Sequence, residues 1–330
     1  MSIGTPRHLR QRFGARASAI SRSQSVETYA VGSGADEIVP GSANISWRGC
    51  NRHRRPAKER PALVEARNAE RLSAHGPAGL NRTEGSNLSE TIAVAIICKT
   101  PTPGQSKTRL SPPFRPDECA GISACFIQDL ANTIEGLSHP AALGYAVYTP
   151  VGSEHVLRRL IPENFGLMPQ SDGDLGDRLR QGIDDLLEAG HRGAILINSD
   201  SPTLPPEILR AAVEVLSTNA RSGRDRMVIC PALDGGYTLI GLSRPHPRLF
   251  EDIVWSTMTV FERTIERARE IDLPVVVLPA WYDIDDAGSY AMLEAELDGR
   301  HPDFADTGIP LRDAPHTRAF IESRRAVTAP

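Results

Sequence analysis

Residues 91–110 read Thr-Ile-Ala-Val-Ala-Ile-Ile-Cys-Lys-Thr-Pro-Thr-Pro-Gly-Gln-Ser-Lys-Thr-Arg-Leu. The apolar, β-branched run over 92–97 has the pattern of a strand buried in a parallel sheet. It empties into a Pro/Gly loop carrying Lys99, Lys107 and Arg109. Strand, glycine-containing loop and clustered cations are how α/β proteins hold a nucleotide's phosphates at the carboxyl edge of a sheet. The stretch therefore points to a phosphorylated, nucleotide-type substrate. A Walker A loop is excluded: Gly104 is the only loop glycine, and Gln105-Ser106 precede Lys107. The plainer alternative is a strand-to-helix connection with solvated cations.

Composition narrows the class. The 330-residue chain is 40% hydrophobic and 5% aromatic, and no stretch approaches the ~18 apolar residues of a membrane span. Its five cysteines, Cys50, Cys98, Cys119, Cys125 and Cys230, form no C-x-x-C pair. An odd number without such spacing indicates neither a zinc site nor a disulfide framework, so a reducing, cytoplasmic setting is expected. The net charge of −4 conceals an asymmetry: residues 1–90 hold 14 Lys and Arg against 8 Asp and Glu, and the remainder 23 against 33. That first segment lacks apolar periodicity, and it contains Arg52-His53-Arg54-Arg55. It reads as a basic extension without stable order. No acid precedes Glu27, as in organelle transit peptides. A nucleic-acid arm, a dispensable extension and a start codon placed too far upstream are the other readings. For the chain as a whole no nucleic-acid partner is expected.

From Thr91 onward, strand and helix patterns alternate. Strands are expected at 92–97, 143–149, 194–198, 227–230, 237–241 and 275–278. Helices are expected at 116–136, 154–160, 175–189, 205–217, 257–271 and 286–297. In the first of these Ile122, Phe126, Leu130 and Ile134 recur at a spacing of four. Such alternation predicts an α/β fold: a mostly parallel sheet with helices on both faces, in a single domain over 91–297. Residues 298–330 are Pro/Arg/Asp-rich and are expected to form an irregular tail.

Four segments hold residues suited to chemistry. Asn198-Ser199-Asp200-Ser201-Pro202 ends a buried strand on an acid. A carboxylate there is placed for Mg²⁺ or Mn²⁺, which prefer oxygen ligands. An N-cap is the bland alternative, but Ser201 or Thr203 is equally able to fill that role. In Asp283-Ile284-Asp285-Asp286 the alternate acids Asp283 and Asp285 face one side of an extended segment, while Asp286 reads as a helix N-cap. Residues 170–178 place Gln170, Gly173 and Asp174 before a helix, where close approach to a base and simple capping are both open. Asp234-Gly235-Gly236-Tyr237 reads as a turn, or as a wall for an acceptor together with Trp255. Ser256 or Thr257 is the expected cap of the helix that follows. The histidines His155, His191 and His246 receive no chemistry.

Together these segments resemble the glycosyltransferase-A-like transferases named for association with radical-SAM and selenoprotein-type domains, within the nucleotide-diphosphate-sugar transferase superfamily. The family pattern K-x-P-x-P-G-x-x-K-T-R-L is matched at 99–110, and Q-x-G-D-L-G-x-R at 170–178 with two residues, Ser171-Asp172, in the variable place before Gly173. The D-x-P-x-L part of G-x-D-x-P-x-L is matched at 200–204, D-G-G-Y-x-L-x-G at 234–241, W-S-T at 255–257 and D-x-D at 283–285. Ser199 stands where the family has Gly or Thr, and Ser201 where it often has Cys. The resemblance leaves 1–90 uncovered. It implies a Rossmann-like, glycosyltransferase-A-type sheet and a transferase. Its Lys-Thr-Arg-Leu loop looks like that of nucleotidyltransferases of this fold, including the guanylyltransferase acting on phospholactate.

The leading expectation is nucleotidyl transfer from an NTP to a phosphorylated or acidic small-molecule acceptor. Asp200, with Asp283 and Asp285, would hold Mg²⁺ or Mn²⁺, and Lys107 and Arg109 would neutralise charge between the α- and β-phosphates. Lys99, Gly104, Thr108, Gln170, Gly173 and Asp174 are expected around the nucleotide. Asp234, Gly235, Gly236, Tyr237 and Trp255 are expected around the acceptor. Glycosyl transfer from a nucleotide sugar is the alternative, and a non-catalytic nucleotide-binding protein a second one.

Overall fold

The apolar run after Thr91 is the centre of the sheet on which the molecule is built. The computed structural model describes residues 26–31, 38–40, 88–137, 139 and 141–328. Its strands are β1 (Val26–Val31), β2 (Ile38–Pro40), β3 (Ile92–Lys99), β4 (Ala142–Thr149), β5 (Gly166–Pro169), β6 (Gly193–Asn198), β7 (Met227–Pro231), β8 (Tyr237–Leu242) and β9 (Val275–Val277). Its α-helices are α1 (Pro116–Glu135), α2 (Glu154–Leu157), α3 (Leu175–Glu188), α4 (Pro206–Ser222), α5 (Val260–Glu270), α6 (Ala287–Leu297) and α7 (Pro315–Thr328).

The strand order is β2-β1-β9-β7-β8-β6-β3-β4-β5. β3 pairs in parallel with β4 and β6, and β5 continues that run, while β8 runs against its neighbours between β6 and β7, as β2 does against β1 at the far edge. Strand β3 shows why the run is apolar throughout. Ile92, Val94 and Ile96 enter the core shared with α1 and α4, whereas Ala93 and Ala95 enter the core shared with α3 and α5. Successive side chains of a strand face opposite ways, so both faces of β3 are buried and neither tolerates polarity. Among the described residues no helix is long and apolar enough to cross a membrane.

Three expectations are corrected. β5 was unassigned: it is a four-residue edge strand ending in Pro169, too short to carry a periodic signal. Two stretches of the segment expected to lack order, β1 and β2, extend the sheet beyond β9, and the remainder of 1–87 lies outside the described residues. The tail expected to be irregular contains α7. Its first turn is capped by Asp129 of α1, whose buried carboxylate accepts from His316 N at 3.0 Å and Thr317 N at 2.8 Å. A cap supplied from so far along the chain leaves no local sequence signature.

At the sheet's opposite end, His191 is buried between Thr91 and Tyr145, with Thr91 Oγ1 2.7 Å from Nδ1 and Tyr145 Oη 2.7 Å from Nε2. The Thr91 hydroxyl donates to Leu88 O at 2.8 Å, so its oxygen accepts from Nδ1–H and the Tyr145 hydroxyl donates to Nε2. The neutral ring is thereby satisfied, and burial lowers its pKa from 6.5 to about 4. Below pH 6.5 the unfolded chain takes up a proton that the folded chain refuses until about pH 4, so this contribution to stability falls as pH falls through that window. A shift of that size corresponds to about 3 kcal/mol. Urea denaturation at pH 7 and pH 4 should show wild type losing more stability than His191→Gln by roughly that difference; equal losses would refute the assignment.

Candidate active site

The carboxyl edge of the sheet gathers three segments. β3 runs out into the Pro/Gly loop, whose Gly104 (φ +74°) sits exposed in the turn before a single 3₁₀ turn over Thr108–Leu110. β6 ends just before Ser199-Asp200. The chain after β9 runs along the end of β7, where Leu278 N donates to Ile229 O and Trp281 N to Pro231 O, and this delivers Asp283 and Asp285. Ile284 N donates to Asp200 O at 2.9 Å, so the two acidic segments are fastened together through their backbones.

Lys107 joins the three. Its Nζ lies 2.8 Å from Asp200 Oδ2, 3.3 Å from Asp285 Oδ1 and 2.6 Å from Ile284 O. Its side chain is only 6% exposed, so the ammonium needs these partners to offset its lost hydration. The backbone of Lys107 is left-handed, φ +47°, an uncommon state for a non-glycine residue. Arg109 reaches Asp285 Oδ2 at 3.3 Å but is 72% exposed, so that pair adds little stability and leaves the guanidinium facing solvent. These residues line an open cavity of about 220 Å³ together with Lys99, Thr108 and three serines, Ser106, Ser123 and Ser199.

Asp283 is not among the cavity-lining residues, yet its carboxyl is pushed up to about 7, by burial first and then by the negative charges of Asp234, Asp285 and Asp200, against the pull of Lys107. Of the three acids expected as a ligand set, Asp200 and Asp285 meet at the Lys107 ammonium, and Asp283 lies apart from that contact. Among the described residues, no three His, Cys, Asp or Glu side chains form a cage for an ion. Asp200 is not a helix cap, and Asp286 is one, accepting from Gly288 N and Ser289 N.

Other expected residues take different positions. Gln170 spends both amide hydrogens on Cys98 O (2.9 Å) and Val147 O (3.0 Å), tying the ends of β3 and β4. Asp174 caps α3, accepting from Asp177 N at 3.0 Å, with Gly173 (φ +116°) in the turn before it. Ordinary capping therefore accounts for Asp174. Tyr237 is no cavity wall: it packs with the core beneath α3 and α5, where burial holds its phenol well above the usual range. Trp255 lies against α3, where a Cβ on Gly176 would come within 2.6 Å of its indole nitrogen. The helix after it starts at Val260, with neither Ser256 nor Thr257 as its cap; Thr257 Oγ1 donates to Val254 O instead.

The three serines went unassigned. Ser106 and Ser199 read as loop residues. Ser123 had a usable signal, a hydroxyl beside the apolar stripe of α1 at Ile122 and Phe126.

Residues 137–257 match a family model described as an uncharacterized protein conserved in bacteria (DUF2064). No curated protein matches the sequence. A solved structure from Desulfovibrio desulfuricans G20, provisionally described as a nucleotide-diphospho-sugar transferase, is 26% identical over 72% of this chain and 96% of its own, with a TM-score of 0.59. The chain has the fold of the nucleotide-diphospho-sugar transferases. A cytidylyltransferase from Leptospira borgpetersenii is more distant, at 12% identity over 72% of this chain and 94% of its own, with a TM-score of 0.41. That second likeness carries no argument about activity.

The Asp234-Gly235-Gly236 turn packs against the chain just after Trp255-Ser256-Thr257, at Met258 and Phe261. Asp234 Oδ1 accepts from Gly236 N at 2.8 Å, and Gly235 O accepts from Phe261 N at 2.9 Å. Gly235 has φ +90°, and a Cβ there would lie 2.1 Å from Met258 O. Gly235→Ala should therefore cost about 1–3 kcal/mol and displace the loop. Urea denaturation and tryptophan fluorescence would report both effects; an unchanged protein would show that the turn does not pin the loop.

Proposed function

We propose that this protein transfers a nucleotidyl group from an NTP to a phosphorylated or acidic small-molecule acceptor. The observation that carries the reading is the cavity at the sheet's carboxyl edge, where a cationic loop and two acidic segments meet at Lys107. Exposed cations suit a triphosphate and its leaving pyrophosphate.

The donor set fits a hard divalent ion. Asp200 and Asp285 meet at Lys107, their donors are oxygens, and burial, with the neighbouring acids second, pushes the Asp283 carboxyl up. Asp200 and Asp285 would hold Mg²⁺ or Mn²⁺, which when bound would supply positive charge against a phosphate. The chain's own residues supply the rest. Arg109 and Lys99 face the cavity to bind phosphate, Lys107 fixes the acids in register, and Thr108 and the cavity serines offer hydroxyls. Such chemistry needs positioning and charge more than a covalent nucleophile.

Glycosyl transfer is the second reading, favoured by the description of the Desulfovibrio relative. The two are separated by incubating the full chain with Mg²⁺ or Mn²⁺, panels of NTPs or nucleotide sugars, and phosphorylated acceptors. Acceptor-dependent pyrophosphate release is expected, with Arg109→Ala and Asp200→Ala each reducing kcat on the order of 10²–10³-fold. Nucleoside diphosphate released from a nucleotide sugar instead would replace the reading with glycosyl transfer. A nucleotide-induced rise in melting temperature without turnover would make the protein a binder.

A further inference from the structure

The phosphate-loop cations sit at one end of residues 107–115, and the other end is held by the C-terminal helix. Phe114 is buried, and Tyr290 of α6 meets its ring edge-on at 4.9 Å between centroids. The guanidinium of Arg324, on α7, lies 4.1 Å from the centre of that ring. The same group donates to Pro113 O at 3.3 Å and pairs with Glu118 of α1 at 3.4 Å. Glu118 in turn accepts from Arg115 N at 2.7 Å, which fixes the start of α1. One planar cation thus binds a carbonyl, a ring and a carboxylate around the segment that leaves Arg109, a geometry that lysine's single ammonium does not reproduce. The adjacent Arg325 pairs with Glu294 of α6 and with Asp298 just past its end, and that helix begins just after Asp283-Ile284-Asp285.

We propose that Arg324 is a positioning residue: through Phe114 and Pro113 it sets the pose of the loop bearing Lys107 and Arg109, and so its affinity for a polyphosphate. The link to polyphosphate rests on the function proposed above; the bracing of the loop does not.

Two measurements on the full chain separate these parts. The first is amide hydrogen exchange in wild type, Arg324→Ala and Arg324→Lys. Leu110 N donates to Lys107 O and Phe114 N to Leu110 O, so these amides report on the loop directly. In Arg324→Ala they should exchange about tenfold faster, the scale of one partly desolvated cation–π contact, with β6 and β8 unchanged. Arg324→Lys keeps the charge but not the fork, and should recover less than half of the lost protection. Unchanged loop exchange in Arg324→Ala would overturn the proposal. So would a uniform rise across the sheet with a lowered melting temperature, because Arg324 would then serve general stability alone.

The second measurement is calorimetric binding of inorganic tripolyphosphate with Mg²⁺. Affinity should fall about tenfold in Arg324→Ala, with Arg109→Ala as the reference for direct loss of a ligand. Loosened amides with unchanged affinity would overturn the positioning role. Absence of binding by wild type would instead count against the phosphate site, and the exchange result would still decide whether Arg324 braces the loop.

Discussion

A nearly buried ammonium cannot stand alone, and much of the carboxyl edge of this sheet is arranged around that constraint at Lys107. From the loop after β3 it reaches partners in two distant parts of the chain, the acid after β6 and the Asp-Ile-Asp segment after β9. Hydrogen bonding of Ile284 to Asp200 brings the last two within reach of one Nζ. Loss of one member of a buried ion pair costs several kcal/mol, because the charge left behind has no water to turn to. Here both aspartates keep partial access to solvent, so the cost is smaller and the acids remain open to other cations.

Around this point the fold separates rigid from adaptable parts. Gln170 ties the ends of β3 and β4, and Asp174 closes the start of α3, so both serve the frame rather than the cavity. Gly176 lets Trp255, and Gly235 lets Met258, seat closely against its neighbour. Lys99 is exposed, and Arg109 touches Asp285 yet stays 72% exposed. Their exposure suits groups that meet a ligand, just as the burial of Lys107 suits one that organises other residues.

Most of the scaffold could be read from the residues because its signals are local. The β-branched run at Ile92, the four-residue spacing through Phe126 and the cap at Asp286 each specify their own element. What escaped was non-local. α7 depends on Asp129 for its cap, and β5 depends on β4 for its pairing. The site divides in the same way. Asp200, Asp285, Lys107 and Arg109 were legible because strand ends and charge clustering mark them. Tyr237 and Gln170 were misplaced because an aromatic after a turn, or an amide after a strand, looks the same whether it faces a ligand or the frame. Only the path of the chain decides that.

The charge count bears on how a polyphosphate would be admitted. Asp200, Asp283, Asp285 and Asp234 stand against Lys99, Lys107 and Arg109, and Lys107 is already committed to two of the acids. A polyphosphate bringing several negative charges would meet roughly balanced surroundings, with little attraction to spare. Added positive charge from a divalent ion on the aspartates changes that balance in the ligand's favour. Linkage then requires the converse, that bound polyphosphate tightens the ion by the same factor. On the proposed reading, weak binding of either partner alone and strong binding of both together follow from the charges of these seven side chains.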